Sequence, residues 1–284
     1  MKIAITGANG LFGYGLAKVM SARHTVFPLT RADADITKAD EVRQALVRLR
    51  PDIVVHPAGT PDIDFCELHP DQAFLLNVHG TRHVVEAAKS VGARVAYIST
   101  DAVFDGKKDT PYREPDPKRP PSVYGRSKSL GEDIVRADRE SWAFRVSVLF
   151  GPGKTNAVLK EMRALAAGQE YVAARDQMGT ATYTLDAAAK IMEVIEAGRY
   201  GTYHLCNQGL CSRFDLARRA ASLAGFDPDK VVGKLSEEMG RPGVRLKYSV
   251  MAMDALEQGG FSLPRPWEEA LAEYIESLHG VWRG

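Results

Sequence analysis

The chain has 284 residues, 45% of them hydrophobic, and a formal net charge of +1. That length can fill one large domain or a domain with a smaller lobe, while the even charge balance excludes the basic footprint of a nucleic-acid binder or of a protein held to an acidic membrane surface. No apolar run reaches the roughly 20 residues of a bilayer span, and Met1 to Thr6 is too short for a signal peptide, so a cytoplasmic protein is expected.

Lys2 to Thr6 is a β-rich run that meets Gly7-Ala8-Asn9-Gly10-Leu11-Phe12-Gly13, and a helical pattern follows over Leu11 to Met20. His24 to Leu29 reads as a second strand and Ala39 to Leu49 as an amphipathic helix. In the third strand, Asp52 to His56, the contiguous Ile53, Val54 and Val55 suit a sheet covered on both faces. A helix is expected from about Pro70 to Val91, a strand from Arg94 to Ser99, a helix from Ser122 to Ala137 and a strand from Ala143 to Leu149. This alternation argues for an α/β fold with a doubly wound parallel sheet.

The pattern changes after Gly151-Pro152-Gly153. Helices are expected at Asn156 to Ala167, Thr184 to Ala197 and Ser212 to Ala224, the last with Ser212 as N-cap. Thr202 to Cys206 looks β-like, Gly225 to Pro266 irregular, and Trp267 to Leu278 helical. Residues 1–151 are therefore expected to bind a nucleotide, and 152–284 to form a smaller lobe, with segments near 184–206 returning to the first domain.

Glycines between a strand and a helix allow a tight turn and close approach of backbone to a pyrophosphate, whose charge meets the helix N-terminus. Gly7, Asn9, Gly10, Leu11, Phe12 and Gly13 are assigned to a cofactor on that ground, although Gly-x-x-Gly-x-x-Gly differs from the simplest dinucleotide spacing and a purely structural turn would share it. Arg31 follows the second strand, where an adenosine ribose would lie. A cation there suits a 2′-phosphate, so NADPH is expected with NADH as the alternative; an exposed loop arginine would look the same. Asp35 and Ile36 could flank the adenine, and Ala58, Gly59 and Thr60 are small enough for a cofactor to cross the strand ends.

Tyr124 and Lys128 are one turn apart on one helix face. Carbonyl reduction takes a hydride from one side and a proton for the developing alkoxide. A free tyrosine titrates near about 10, and bringing it to about 7 takes about 4 kcal/mol. Lys128 can supply part of that and hold ribose hydroxyls. Thr100, at a strand end, can hydrogen-bond the substrate oxygen; Ser99 competes for this role, and strand alternation lets only one of the two face the site.

These residues resemble the extended short-chain dehydrogenase/reductase family, and within it the dTDP-4-dehydrorhamnose reductase branch. The likeness covers nearly the whole chain. It is carried by Ser99-Thr100-Asp101-Ala102-Val103-Phe104-Asp105-Gly106, by Pro111-Tyr112-x-Glu114, and by Tyr124-Gly125-Arg126-Ser127-Lys128 with Gly131-Glu132. Asn77-Val78-x-Gly80-Thr81, Asp176-Gln177-x-Gly179, Arg241-Pro242 and Trp267-Glu268-x-Ala270-Leu271 add to it. The resemblance implies a Rossmann domain with a small C-terminal substrate lobe. It further implies reduction of the 4-keto group of a nucleotide-linked deoxysugar, with Thr100, Tyr124 and Lys128 as the catalytic set. Homodimers are common in the family. The chain departs from the family pattern at Val148, where a pocket tryptophan is usual, at Ala181, where proline is usual, and over Pro57 to Asp64.

Asp101, Val103, Asn156 and Arg241 are candidate substrate contacts, the last two near a diphosphate; for Arg241 a structural salt bridge is the competing reading. Asp62, Asp64 and Glu67 could line the pocket or form a solvated loop. His79 and His83 are one turn apart but lack a third ligand, so no metal is expected. Cys66, Cys206 and Cys211 are scattered without metal spacing and are expected as reduced packing thiols. Besides a reductase, or a reductase and epimerase of another nucleotide sugar, the sequence admits a non-catalytic NADP-binding regulatory subunit like that of methionine adenosyltransferase.

Overall fold

The strand at Ile53–His56, labelled β3, is buried at all four positions, which its run of β-branched side chains requires. The computed structural model describes residues 1–278 and 281–283. Around β3 lie β1 (Lys2–Thr6), β2 (Thr25–Leu29), β4 (Arg94–Thr100), β5 (Trp142–Val146) and β6 (Gly201–His204), in one six-stranded sheet of order 2-1-3-4-5-6. Every neighbouring pair in it is parallel. Alternation along the strands divides the core. Ile3, Ile5, Ile53 and Val55 pack with helices α1 (Leu11–Met20) and α8 (Thr184–Glu196). Ala4 and Val54 join the opposite layer, with α2 (Ala39–Leu49), α5 (Gly80–Ser90) and α6 (Val123–Arg136). The strand order reverses between β1 and β3, which opens a crevice at their carboxyl ends.

The expected helix over 70–91 is built from α4 (Pro70–Phe74), a π-helical turn at Leu75–His79, and α5. The strand expected to reach Leu149 stops at Val146, and Leu149–Phe150 leaves the sheet to pair with Thr182–Tyr183. The Ser147 side chain is drawn aside to Asp101 at 2.6 Å. The region 225–266 is more ordered than its composition suggests. Val231–Lys234 pairs in parallel with Tyr171–Ala174, and Asp254–Gln258 forms a helix, α10.

A separate core lies in the second half, where α7 (Ala157–Ala166), α9 (Arg213–Leu223) and α11 (Trp267–Ser277) enclose Phe150, Met162, Ala220, Leu271 and Tyr274. α9 starts at a full capping box between Ser212 and Asp215. β6, α8 and Leu256 of α10 belong instead to the sheet and its core, so the chain returns to the first half more than once.

Candidate active site

The turn after β1 is shaped for an anion. Gly7 has φ +60°, and a Cβ on Gly13 would stand 2.2 Å from the Gly7 carbonyl oxygen. α1 begins at Gly10 without a side-chain cap and without an acidic residue in its first turn, so its N-terminal amides and dipole face outward unopposed. The residues therefore fit a dinucleotide pyrophosphate. Arg31 reaches into solvent beyond β2, its Nε donating to Asp35 at 3.0 Å. Asp35 is buried; burial raises its pKa, but hydrogen bonds from Thr37 and Arg31 outweigh this and hold it below the usual carboxylate range. Ile36 is packed against Gly80, where a Cβ would come within 2.8 Å of it.

Across the crevice, the π-helical turn aims Asn77 at the loop after β3. Asn77 accepts from the Thr60 amide at 2.9 Å, and its Nδ2 donates to the Thr60 carbonyl at 3.2 Å and to Ser127 at 2.9 Å. Gly59 is needed there, since a Cβ would lie 2.5 Å from Asn77 Oδ1. Ser127 in turn donates to the Tyr124 carbonyl at 2.8 Å. The loop of Ala58, Gly59 and Thr60 is thus tied to the helix that carries Tyr124 and Lys128. Asn77 was visible in the sequence only as part of a motif; its task depends on the helical widening.

β4 ends by delivering Thr100 and then a 3₁₀ turn over Asp101–Val103 that Thr100 caps. The Thr100 hydroxyl donates to Asp101 at 3.0 Å and accepts from the Ala102 amide at 3.2 Å. Ser99 is used elsewhere, donating to Glu132 at 2.6 Å. Tyr124 is half-exposed toward the cleft while protein surrounds it. Burial pushes its pKa well up, the Thr100 hydroxyl draws it down, and Asp101 and Cys66 add to the rise. Lys128 is buried, donating to the Ile98 carbonyl at 2.7 Å with its ammonium 4.0 Å over the Tyr97 ring. Burial pulls it down to about 7, against the opposing pull of Glu132. In this arrangement the groups acting on the phenol are Thr100, Asp101 and Cys66 rather than Lys128, whose ammonium is held at the strand carbonyl. Behind it, Glu132 and Arg145 form a buried pair at 2.7 Å that anchors α6 to β5.

The cavity next to Thr100 is lined by Asp101, Val148, Gln177, Arg213, Arg245 and Ser249, among others. Asp101 Oδ2 accepts from Ser147 and Ser249, each at 2.6 Å. Val148, at the position of the usual tryptophan, does line it. Arg213 reaches solvent inside the cleft, and the enclosing protein lowers its pKa; among the described residues no ion pair holds it. Neither Arg213 nor Arg245 stood out in the sequence, because only the fold brings α9 and the segment after Gly240 to this wall.

Other candidates fall differently. The Val103 side chain is wholly buried in the main core and does not line the cavity. Asn156 is the N-cap of α7, accepting from the Leu159 amide and donating to the Gly151 carbonyl at 2.9 Å and Tyr274 at 2.7 Å. Its polar atoms are spent on structure, which leaves none for a substrate. Arg241 stands exposed, near enough to influence Asp64, Tyr171 and Arg213. Asp62 caps the short helix α3 (Ile63–Leu68), and Glu67 accepts from the Val123 amide at 3.1 Å, at the start of α6. His79 is exposed, while His83 meets the Ile36 carbonyl at 2.9 Å. All three cysteines are free and buried. Among the described residues no helix is long and apolar enough to cross a membrane.

A parallel sheet with an uncapped glycine turn, and a threonine, tyrosine and lysine gathered at the end of β4, define an oxidoreductase of the short-chain dehydrogenase type with a Rossmann-type fold. The chain belongs to the family described as RmlD substrate binding domain, whose model matches residues 1–279. It is 35% identical over 277 residues to the spore coat polysaccharide biosynthesis protein SpsK of Bacillus subtilis, covering 97% of each chain. It superimposes with a TM-score of 0.93 on a dTDP-4-dehydrorhamnose reductase from Clostridium acetobutylicum, at 37% identity and covering 98% of this chain and 100% of that one. The TM-score is also 0.93 to a dTDP-4-dehydrorhamnose reductase from Bacillus anthracis in complex with NADP, at 33% identity, with 97% and 99% covered.

Proposed function

We propose that this protein reduces the 4-keto group of a nucleotide-linked deoxysugar, dTDP-4-dehydrorhamnose first among them, using NADPH. The observation that carries the reading is Tyr124 one helical turn before the buried Lys128, with Thr100 at the end of β4 drawing its phenol down, beside a cavity that Arg213 lines without an ion pair. NADPH supplies the hydride when bound. The glycine turn, Thr60 and Lys128 would hold its pyrophosphate and ribose, and Arg31 its 2′-phosphate. A raised phenol pKa keeps Tyr124 protonated, as the donor of a proton to the developing alkoxide must be. Thr100 orients the carbonyl. Arg213 and Arg241 receive the substrate diphosphate, where charge-assisted hydrogen bonds are strongest. Val148 lines the cavity with a smaller side chain than the usual indole, so a differently configured sugar is the second reading.

The test is loss of NADPH absorbance with dTDP-4-dehydro-6-deoxy-L-mannose, run with wild type and Tyr124→Phe, and with NADH as a second arm. Oxidation by wild type that collapses in the variant, by about 10²-fold or more, supports the reading. Cofactor binding without turnover removes this substrate and turns attention to the regulatory-subunit alternative.

A further inference from the structure

The segment 241–246 crosses the cleft as a strap. Its two ends are fixed to the same short stretch of the lobe. Ser236 donates from its amide and hydroxyl to Asp176, at 2.8 and 2.6 Å. On the other side, the Met178 amide donates to the Lys247 carbonyl and the Ser249 amide to the Met178 carbonyl, both at 2.8 Å. Between these anchors, Gly240 takes φ +57°. The strap itself is held from the opposite wall. The Arg245 guanidinium forms a two-pronged pair with Asp64 of α3, its Nη2 at 2.8 Å from Oδ2, and the Gly243 amide donates to Asp64 at 3.0 Å. Arg245 also donates to the Gly243 carbonyl at 2.8 Å. Among the described residues, the backbone from Arg241 to Leu246 makes its hydrogen bonds only within this cluster. Gly243 sits so close that a Cβ would come 2.7 Å from the Ile63 side chain.

Ile63, Val244, Arg245 and Leu246 roof the cavity that Asp101 and Arg213 line, and the space beneath measures about 50 Å³. Ligand pockets usually reach at least about 300 Å³. A sugar cannot sit there until the strap lifts, and lifting it means parting Arg245 from Asp64. The group that can replace a carboxylate on a guanidinium is another anion, and phosphate oxygens match its fork equally well.

We propose that Asp64 and Arg245 latch the strap over the cleft in the free protein, and that the entering diphosphate takes Arg245 from Asp64. Arg245 is then a substrate-contacting residue and Asp64 a positioning residue that competes for it. The ligand rests on the nucleotide-sugar reading above; the latch geometry does not.

Calorimetric titration of dTDP into the NADP-bound protein tests this without turnover. Asp64→Asn removes the competitor and should tighten dTDP about threefold, as expected for a part-exposed ion pair. Arg245→Gln should weaken it about tenfold. A merely structural pair would move both in the same direction. Gly243→Ala loosens the strap without touching a charge and should resemble Asp64→Asn. In Asp64→Asn and Gly243→Ala, trypsin should cleave after Arg245 faster than in wild type. Equal or like-signed changes in dTDP affinity, or unchanged cleavage, would overturn the latch, as would a wild type that does not bind dTDP. Wild type that binds dTDP yet oxidises no NADPH with any keto sugar would overturn the reductase reading alone.

Discussion

Ser99 and Thr100 carry the same functional group one residue apart, and the strand sends them to different work. Ser99 braces the buried Glu132–Arg145 pair, while Thr100 caps the turn into Asp101 and draws the Tyr124 phenol down. Thr100→Ala should therefore lower kcat by about 10²-fold, as loss of a donor to a reacting oxygen does. Ser99→Ala should leave kcat near wild type and lower stability by about 1–3 kcal/mol, because it strips a partner from a buried charge. Steady-state kinetics beside urea denaturation separates the two. That one hydroxyl faces the site was readable from alternation alone; which one was not, since it depends on where α6 crosses the strand end. Val103 shows the same limit in reverse. It lies in the most family-specific stretch of the chain, yet its side chain is fully enclosed in the core.

At the scale of elements, the first half was largely legible because its signals are local. Ala39–Leu49 has one apolar face, Ile53–His56 is contiguous and β-branched, and glycines punctuate the turn between β1 and α1. The pairing of Tyr171–Ala174 with Val231–Lys234 was not legible, because it joins segments sixty residues apart with no turn between them to set the register. Asn156 followed the same divide. The helical pattern that starts at Asn156 was a local signal, while the bonds to Gly151 and Tyr274 that commit its amide are tertiary. Asn156→Ala should then destabilise the lobe by about 1–3 kcal/mol, through a lost cap and unpaired buried partners. The KM for the sugar should stay unchanged. A raised KM at unchanged stability would restore Asn156 to the substrate site. Lobe stability can be read from urea transitions followed by tryptophan fluorescence in a Trp142→Phe background, where the remaining tryptophans, Trp267 and Trp282, pack in that core.

Across the whole molecule, buried ionisable groups set opposing slopes of stability against pH. His56 and His204 are buried, and burial holds them down to about 3 and about 4. The unfolded chain takes up protons on both below about 6.5 while the folded one does not, so they drain stability as the pH falls from there. Each contributes a slope approaching about 1.4 kcal/mol per pH unit. Glu161 on α7 acts the other way. It is 1% exposed, its Oε1 has no hydrogen-bond partner among the described residues, and burial pushes it up to about 9. The folded protein keeps that proton above the ordinary carboxylate range, near about 4.3, where the unfolded chain releases it. Stability due to Glu161 is thus intact at low pH and lost as the pH rises toward about 9. Above about 4.5 Glu161 opposes the two histidines, joined by Glu114, which burial also raises, and above about 7 Lys128, which burial pulls down, begins to offset the acids. Glu161→Gln cannot release a proton, so its stability relative to wild type should be more favourable at pH 8 than at pH 5, by an amount on the order of a few kcal/mol. Urea denaturation of both proteins at the two pH values measures that difference directly, and an equal offset at pH 5 and 8 would mean that Glu161 is already ionised in the fold.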